Sequence, residues 1–355
     1  MTCKEFILTD DIWLDAQNST NEVDTALRLL SQAMRLQGGI HIDGVPGMMH
    51  IVADYLVSMA ANALVSGCAG LQSIHFRVLR TVRGCTITNN PGLNTVSYPS
   101  LEKAENLVVS ANPALIVLDL SALLVVQGTL TVANNIDLLS VKLDSLQEVH
   151  KMMTLSDNPA VTFMSLRAIS TVGALTLHNS LPDVVELYAL SVAKSMALTS
   201  NNRMTSLSID SLATVGALLV DDNPLLHSLD LPRLTGVDAD ITLRRNSVLE
   251  QITMPALAQV SSVYFNKNPV LRRVDMPRIV ALENLQIIDN DAVREVMLTS
   301  LQKLAASLQL EGTRVDIAID WPGFCYLGAF VGTMPTAPIE LVNSIERALA
   351  QNSCP

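Results

Sequence analysis

The sequence predicts a mainly β fold, a right-handed parallel β-solenoid of about 13 coils with helical N- and C-terminal caps. Three observations carry that prediction. An asparagine returns every 21–23 residues from Asn90 to Asn290. The residues around it repeat as L-x-L-x-x-N-P-x-L-x-x-L-x-L-P-x-L-x-x-V-x-x. The chain is also 49% hydrophobic but only 4% aromatic. Its core must therefore be built from Leu, Val, Ile, Met and Ala, which suits thin repeated layers.

Residues 1–39 read as an N-terminal cap. Ile12-Trp13-Leu14 forms an incomplete first strand, and 19–36 an amphipathic helix opened by a Ser19/Glu22 capping box. Val23, Leu27, Leu30, Met34 and Leu36 supply its buried stripe. Residues 40–310 are the repeat, with coils starting at Ile40, Ala63, Cys85, Leu107, Leu130, Met153, Leu175, Met196, Leu218, Ile241, Val263, Leu285 and Leu308. Each L-x-L pair has the period of a strand, so a coil holds one strand before the asparagine and another after it. The later L-x-x-V supplies a third inward edge. No coil can bury its apolar side alone, so neighbours must stack in parallel at about 4.8 Å, as one continuous domain.

The sixth position of the coil holds Asn90, Asn112, Asn135, Asn158, Asn201, Asn223, Asn246, Asn268 and Asn290, with Ser180 and Cys68 as variants. Asparagine tolerates unusual backbone angles and bonds the free amides of a turn and of the neighbouring coil. Stacked, these side chains form a structural ladder with no catalytic role. After Leu310 the pattern fades. Residues 311–355 gather Trp321, Phe324, Tyr326 and Phe330, then a helix at about 338–350 opened by Pro338, and read as the C-terminal cap.

The formal net charge of −11 argues against nucleic acid or an anionic membrane as partner, since either needs clustered Lys and Arg. No apolar run approaches the 18 or more residues of a membrane span, so no membrane insertion by this chain is expected. Met1-Thr2-Cys3-Lys4-Glu5 does not read as a secretory signal. Either a cytosolic protein or a mature ectodomain with an added Met1 satisfies these facts. The five cysteines, Cys3, Cys68, Cys85, Cys325 and Cys354, leave one over after pairing. Cys325 and Cys354 flank the expected C-terminal helix as an end-stapling disulfide would, and Cys68 and Cys85 are further disulfide candidates. Asn18-Ser19-Thr20 is a glycosylation sequon, with Asn18 as the acceptor.

The phrase N-P-x-L-x-x-L-x-L-P-x-L-x-x-V-x-G, with Val172-Gly173 and Val215-Gly216, resembles the receptor L-domain family. The resemblance covers roughly residues 3–310 and is specific to the coil. It implies a ligand-binding lobe of the kind found in insulin and epidermal growth factor receptors. Cys3 looks like the family's early cysteine, while Leu36 and Gln37 stand where its usual partner would be. Ordinary leucine-rich repeats share the L-x-L-x-x-N core and are the neighbouring family.

No signature of nucleotide, zinc-protease or serine-hydrolase chemistry is present, and the six histidines occupy different coil positions. No cofactor and no metal are expected. Asp119, Glu186, Asp230 and Asp275 share an outward column, as the acids of a β-helix carbohydrate-active enzyme would, yet two or more coils separate most of them. The outward position of the first strand is rich in threonine (Thr86, Thr131, Thr154, Thr176, Thr242), a row suited to ice or glycan that Leu219 and Tyr264 interrupt. Arg244, Arg245, Lys267, Arg272 and Arg273 concentrate base beside Asp221 and Asp222. The expectation is a non-enzymatic recognition module, extracellular or on the cell surface. It would bind a protein or glycan through Leu219, Thr242, Arg244, Arg245, Tyr264 and Lys267, and a sheet face of this kind also suits a homo-oligomer. A cytosolic leucine-rich-repeat scaffold and a carbohydrate-active enzyme are the alternatives.

Overall fold

Leucine and valine at the first and third coil positions face inward because strand side chains alternate, and these residues are buried along the chain. The computed structural model describes residues 6–312, 318–320, 324–332, 345–346 and 350. The chain divides into two compact units, Met1–Pro182 and Asp183–Pro355. In the first, Ile12, Ile40, Ala63, Cys85, Leu107, Leu130, Met153 and Leu175 are successive partners in parallel register. In the second, Met196, Leu218, Ile241, Val263, Leu285, Leu308 and Phe330 are. Every coil start read from the repeat takes part.

The strand after the asparagine forms a second parallel sheet. In the first unit Ile51, Ile74, Val96, Leu118, Val141 and Met164 stack in it. In the second unit Leu229, Ile252, Val274 and Val296 do. The third edge is strand as well: Leu36, Met59, Val82, Ala104, Val126, Val149 and Val172 are register partners. It runs directly into the next first strand, as in Thr81–Thr88 and Glu148–Ser156. A coil carrying one extra residue between Val149 and Met152 sits beside Val172-Gly173. A Cβ on Gly173 would lie 1.9 Å from the Lys151 carbonyl oxygen, so only glycine lets that backbone approach.

The ladder is buried and bonded throughout. Asn112 shows the pattern: its backbone N–H donates to Asn135 Oδ1 at 3.1 Å, and its Nδ2 donates to the carbonyls of Ile87 and Ser110. Asn90, Asn135 and Asn158 repeat it in the first unit, and Asn201, Asn223, Asn246, Asn268 and Asn290 make a second column. Ser180 serves as a rung by accepting from Asn158 N at 3.0 Å. Cys68 donates its backbone N–H to Asn90 Oδ1, and backbone hydrogen bonds from Val45 and Gly44 reach its sulfur.

One expectation about the ladder is corrected. The unusual backbone angle falls on the residue before each rung rather than on the asparagine itself. Asn89, Ala111, Asn134, Asp157, Asn179, Ser200, Asp222, Arg245, Lys267 and Asp289 all have φ between +45° and +58°. A left-handed residue turns the strand sharply enough to aim the next side chain into the core.

The N-terminal helix, α1 (Thr20–Gln32), begins as read, with the Ser19/Glu22 capping box formed. It ends four residues earlier than expected. Val23 and Leu30 are buried on it, whereas Leu36 belongs to a strand paired with Met59. The C-terminal helix expected at 338–350 falls mostly outside the described residues, of which Ile345, Glu346 and Ala350 are helical. Stacking continues past residue 310, because Phe330 pairs with Leu308 and Tyr326 with Lys303. Part of the segment expected to cap the stack is therefore strand. Trp321 and Cys354 lie outside the described residues.

Cys68 and Cys85 are free, which removes them as disulfide candidates. Cys68 holds a rung, while Cys85 sits in a strand between Ala63 and Leu107 with its sulfur 3.7 Å from Tyr98 Oη. Burial pushes the Cys85 thiol up to about 11 and raises that of Cys68. Cys325 is disulfide-bonded.

Candidate functional site

Inward positions are filled by core and rungs by the ladder, so chemistry is left to side chains that point outward. On the first sheet of the second unit, Leu219, Thr242, Tyr264 and Gln286 are successive register partners in one outward row. All four are half-buried against one another. Two residues along the strand, Asp221, Arg244 and Asn266 form the next row.

Asp221 is the surprise in that row, with its side chain only 7% exposed. A buried carboxylate is costly unless paired. Its Oδ2 accepts from Arg244 Nε at 2.9 Å and from Arg245 Nη2 at 2.6 Å. Its Oδ1, like Asn266 Oδ1, is buried without a hydrogen-bond partner. Arg244 and Arg245 thus neutralise an acid of their own unit, although each guanidinium remains about half exposed. Lys267 follows Arg245 in the left-handed row and makes no ion pair among the described residues. Arg272 and Arg273 do not join them. They stand by the second sheet, Arg272 within 3.7 Å of Glu250, and Arg273 within 3.7 Å of Asp275 and 3.6 Å of Glu295.

In the first unit the outward row Thr86, Val108, Thr131, Thr154 and Thr176 is continuous. Beside it, Thr88 Oγ1 lies 3.1 Å from Ser110 Oγ. The residues that interrupt the threonines, Leu219 and Tyr264, belong to the second unit.

The outward acids are spread apart. Asp230 and Asp275 bracket Thr253 in register, two strand spacings or about 10 Å apart, about twice the separation of a retaining pair of carboxylates and at the upper end of the range for an inverting pair. Thr253 Oγ1 hydrogen-bonds to Asp230. Glu186 accepts from Tyr188 Oη at 3.0 Å. Partial burial alone would raise Asp119, but hydrogen bonds from Ser121 and Lys142 outweigh it and hold the carboxyl below its ordinary value. His50 contacts Ser73 Oγ at 2.9 Å and His150 contacts Glu148 at 3.0 Å, far from each other in the stack. Among the described residues no group of three His, Cys, Asp or Glu side chains is arranged to hold a metal.

Asn18 is half-buried beside α1, its Oδ1 accepting from Asp15 N at 2.7 Å. Two features escape the sequence reading. The burial of Asp221 has no signal, because it occupies an outward strand position. Trp13 is legible as a strand residue, yet nothing in the pattern shows that it stands 63% exposed on a stacked His41.

No family model matches the sequence, and no curated protein matches it. Among solved structures, a leucine-rich repeat protein from Bacteroides ovatus is similar at a TM-score of 0.46 and 13% identity, over 79% of this chain and 79% of that one.

Proposed function

We propose that the protein is a recognition module that binds a protein or glycan without transforming it. The observation that supports this most directly is the outward row Leu219–Thr242–Tyr264 on a rigid parallel sheet. None of these three side chains is needed for the core or the ladder. Tyrosine and arginine are the residue types enriched at binding hot spots, and Tyr264 has two half-exposed arginines alongside, together with a lysine that makes no ion pair among the described residues. The finer form of this reading is a receptor L-domain-like module outside the cell. The repeat phrase around Asn223-Pro224 and Leu231-Pro232 supports it, as does the disulfide at Cys325, a feature of oxidising compartments.

The test is a panel of glycans and extracellular proteins probed with the wild-type chain and with Tyr264→Ala, Lys267→Glu and Leu219→Asp. A ligand of this face should lose at least ~10-fold in affinity with each, while Gln251→Glu on the second sheet leaves it unchanged. A ligand indifferent to all three and sensitive to Gln251→Glu would place recognition elsewhere.

A further inference from the structure

A groove of about 390 Å³ lies between strand Ile12–Leu14 and helix α1, in the first unit. Leu8, Trp13 and Leu29 give it apolar walls, and Asp10, Asp11 and Glu22 give it carboxylates. Among the described residues, no Lys or Arg lines it. Trp13 reaches the groove because it is the outward member of a strand whose neighbours, Ile12 and Leu14, are buried. One face of the indole is covered by His41, with ring centroids 3.8 Å apart and planes 12° from parallel. The ring is thus held flat while the residue stays 63% exposed. Leu29 is also exposed, at 38%. Exposed apolar side chains grouped in one patch with a polar rim are a mark of ligand contact.

Two of the three carboxylates are held in place by hydrogen bonds. Asp11 Oδ1 accepts from the Gly39 backbone N–H at 2.6 Å. Glu22 Oε2 accepts from Ser19 N at 2.7 Å and from Ser19 Oγ at 2.8 Å, which holds this carboxyl below its ordinary value. We propose that this groove binds an organic cation, a guanidinium or ammonium head on an alkyl stem. The head sits among Asp10, Asp11 and Glu22, and the stem lies against Trp13 and Leu29. The indole face attracts the cation further, tryptophan being the strongest of the aromatic rings in this respect. An anion is repelled by all three acids. A neutral sugar would use the ring but leave the acids without a charge partner.

Arginine amide acetylated at its α-amino group, so that the guanidinium is its one charge, is the probe, titrated by calorimetry or by the Trp13 resonance in NMR. It should bind, and the citrulline amide acetylated in the same way, which is uncharged, should bind at least ~10-fold more weakly. Trp13→Ala should weaken arginine amide about 3-fold or more. Asp10→Asn combined with Glu22→Gln should weaken it further, with the Gln keeping the capping box and therefore the helix. Unchanged thermal unfolding of the double variant separates loss of binding from loss of fold. An arginine-containing tripeptide that binds more tightly than arginine amide identifies a protein segment as the source of the cation. Equal binding identifies a free amine. Equal affinity for citrulline amide, no arginine amide binding, or Trp13-dependent binding of a neutral oligosaccharide alone overturns the proposal.

Discussion

Asn112 shows how much one side chain holds. Its carboxamide bonds a rung on each side and two backbone carbonyls, all in a site from which water is excluded. Asn112→Ala leaves the Asn90 N–H without its acceptor and removes one bond each from the carbonyls of Ile87 and Ser110, at about 1–3 kcal/mol for each buried group left unpaired. We expect a loss of about 2–4 kcal/mol in urea denaturation. Asn112→Ser should cost roughly half as much, because Ser180 already accepts from Asn158 at a rung position. The rung was legible in the sequence because its identity barely varies. The left-handed residue before it was not. That place is filled by Asn89, Ala111, Asp157, Ser200, Arg245 and Lys267 alike, so no residue type marks it. Arg245 illustrates the same limit at the candidate site: the sequence sets it in a basic cluster beside Asp221 and Asp222, and only the fold shows that the Asp221 it pairs with is buried.

At the scale of an element, α1 was read from its start signal and misread at its end. Leu36 stands two residues after Met34, a strand spacing, although the stripe Val23, Leu27, Leu30 and Met34 before it has the helical one. Its burial comes from strand pairing with Met59. Apolar spacing passes from one period to the other near an element boundary, and the tertiary partner decides. The start is better specified because a capping box is a local bond. Ser19→Ala removes the side-chain acceptor of the Glu22 N–H and should cost about 1 kcal/mol. The effect should be confined to the helix. Amide exchange of the α1 residues should accelerate about 5-fold, which corresponds to that free energy, while amides of Thr81–Thr88 stay unchanged. Acceleration along the strands would show that α1 is coupled to the stack.

For the whole molecule, the coil spacing, the register of both sheets and the inward faces were all readable, because one short phrase repeats with few departures. What repetition cannot encode is where it changes, such as the division after Pro182 or the strand pairing beyond residue 310. Global stability should also carry a distinctive alkaline dependence. Burial raises the Cys85 thiol from about 9 to about 11. The folded chain therefore keeps a proton that the unfolded chain releases. This contribution is intact below pH ~9 and is lost at about 1.4 kcal/mol per pH unit as pH rises toward about 11. Cys68 and Tyr98, both raised chiefly by burial, act in the same sense. Urea midpoints should fall between pH 8 and pH 10, and Cys85→Ala should flatten that slope. An unchanged slope in the variant would assign the alkaline loss to other groups.

The ladder has one more property. In each column every carboxamide oxygen faces the preceding coil, while the matching backbone N–H faces the following one. The rungs are therefore a row of dipoles aligned head to tail along the stack, with a positive pole on the C-terminal side, much as peptide dipoles add along a helix. Direction is written into the core itself. A coil laid in reversed would set oxygen against oxygen and hydrogen against hydrogen at every rung it touched.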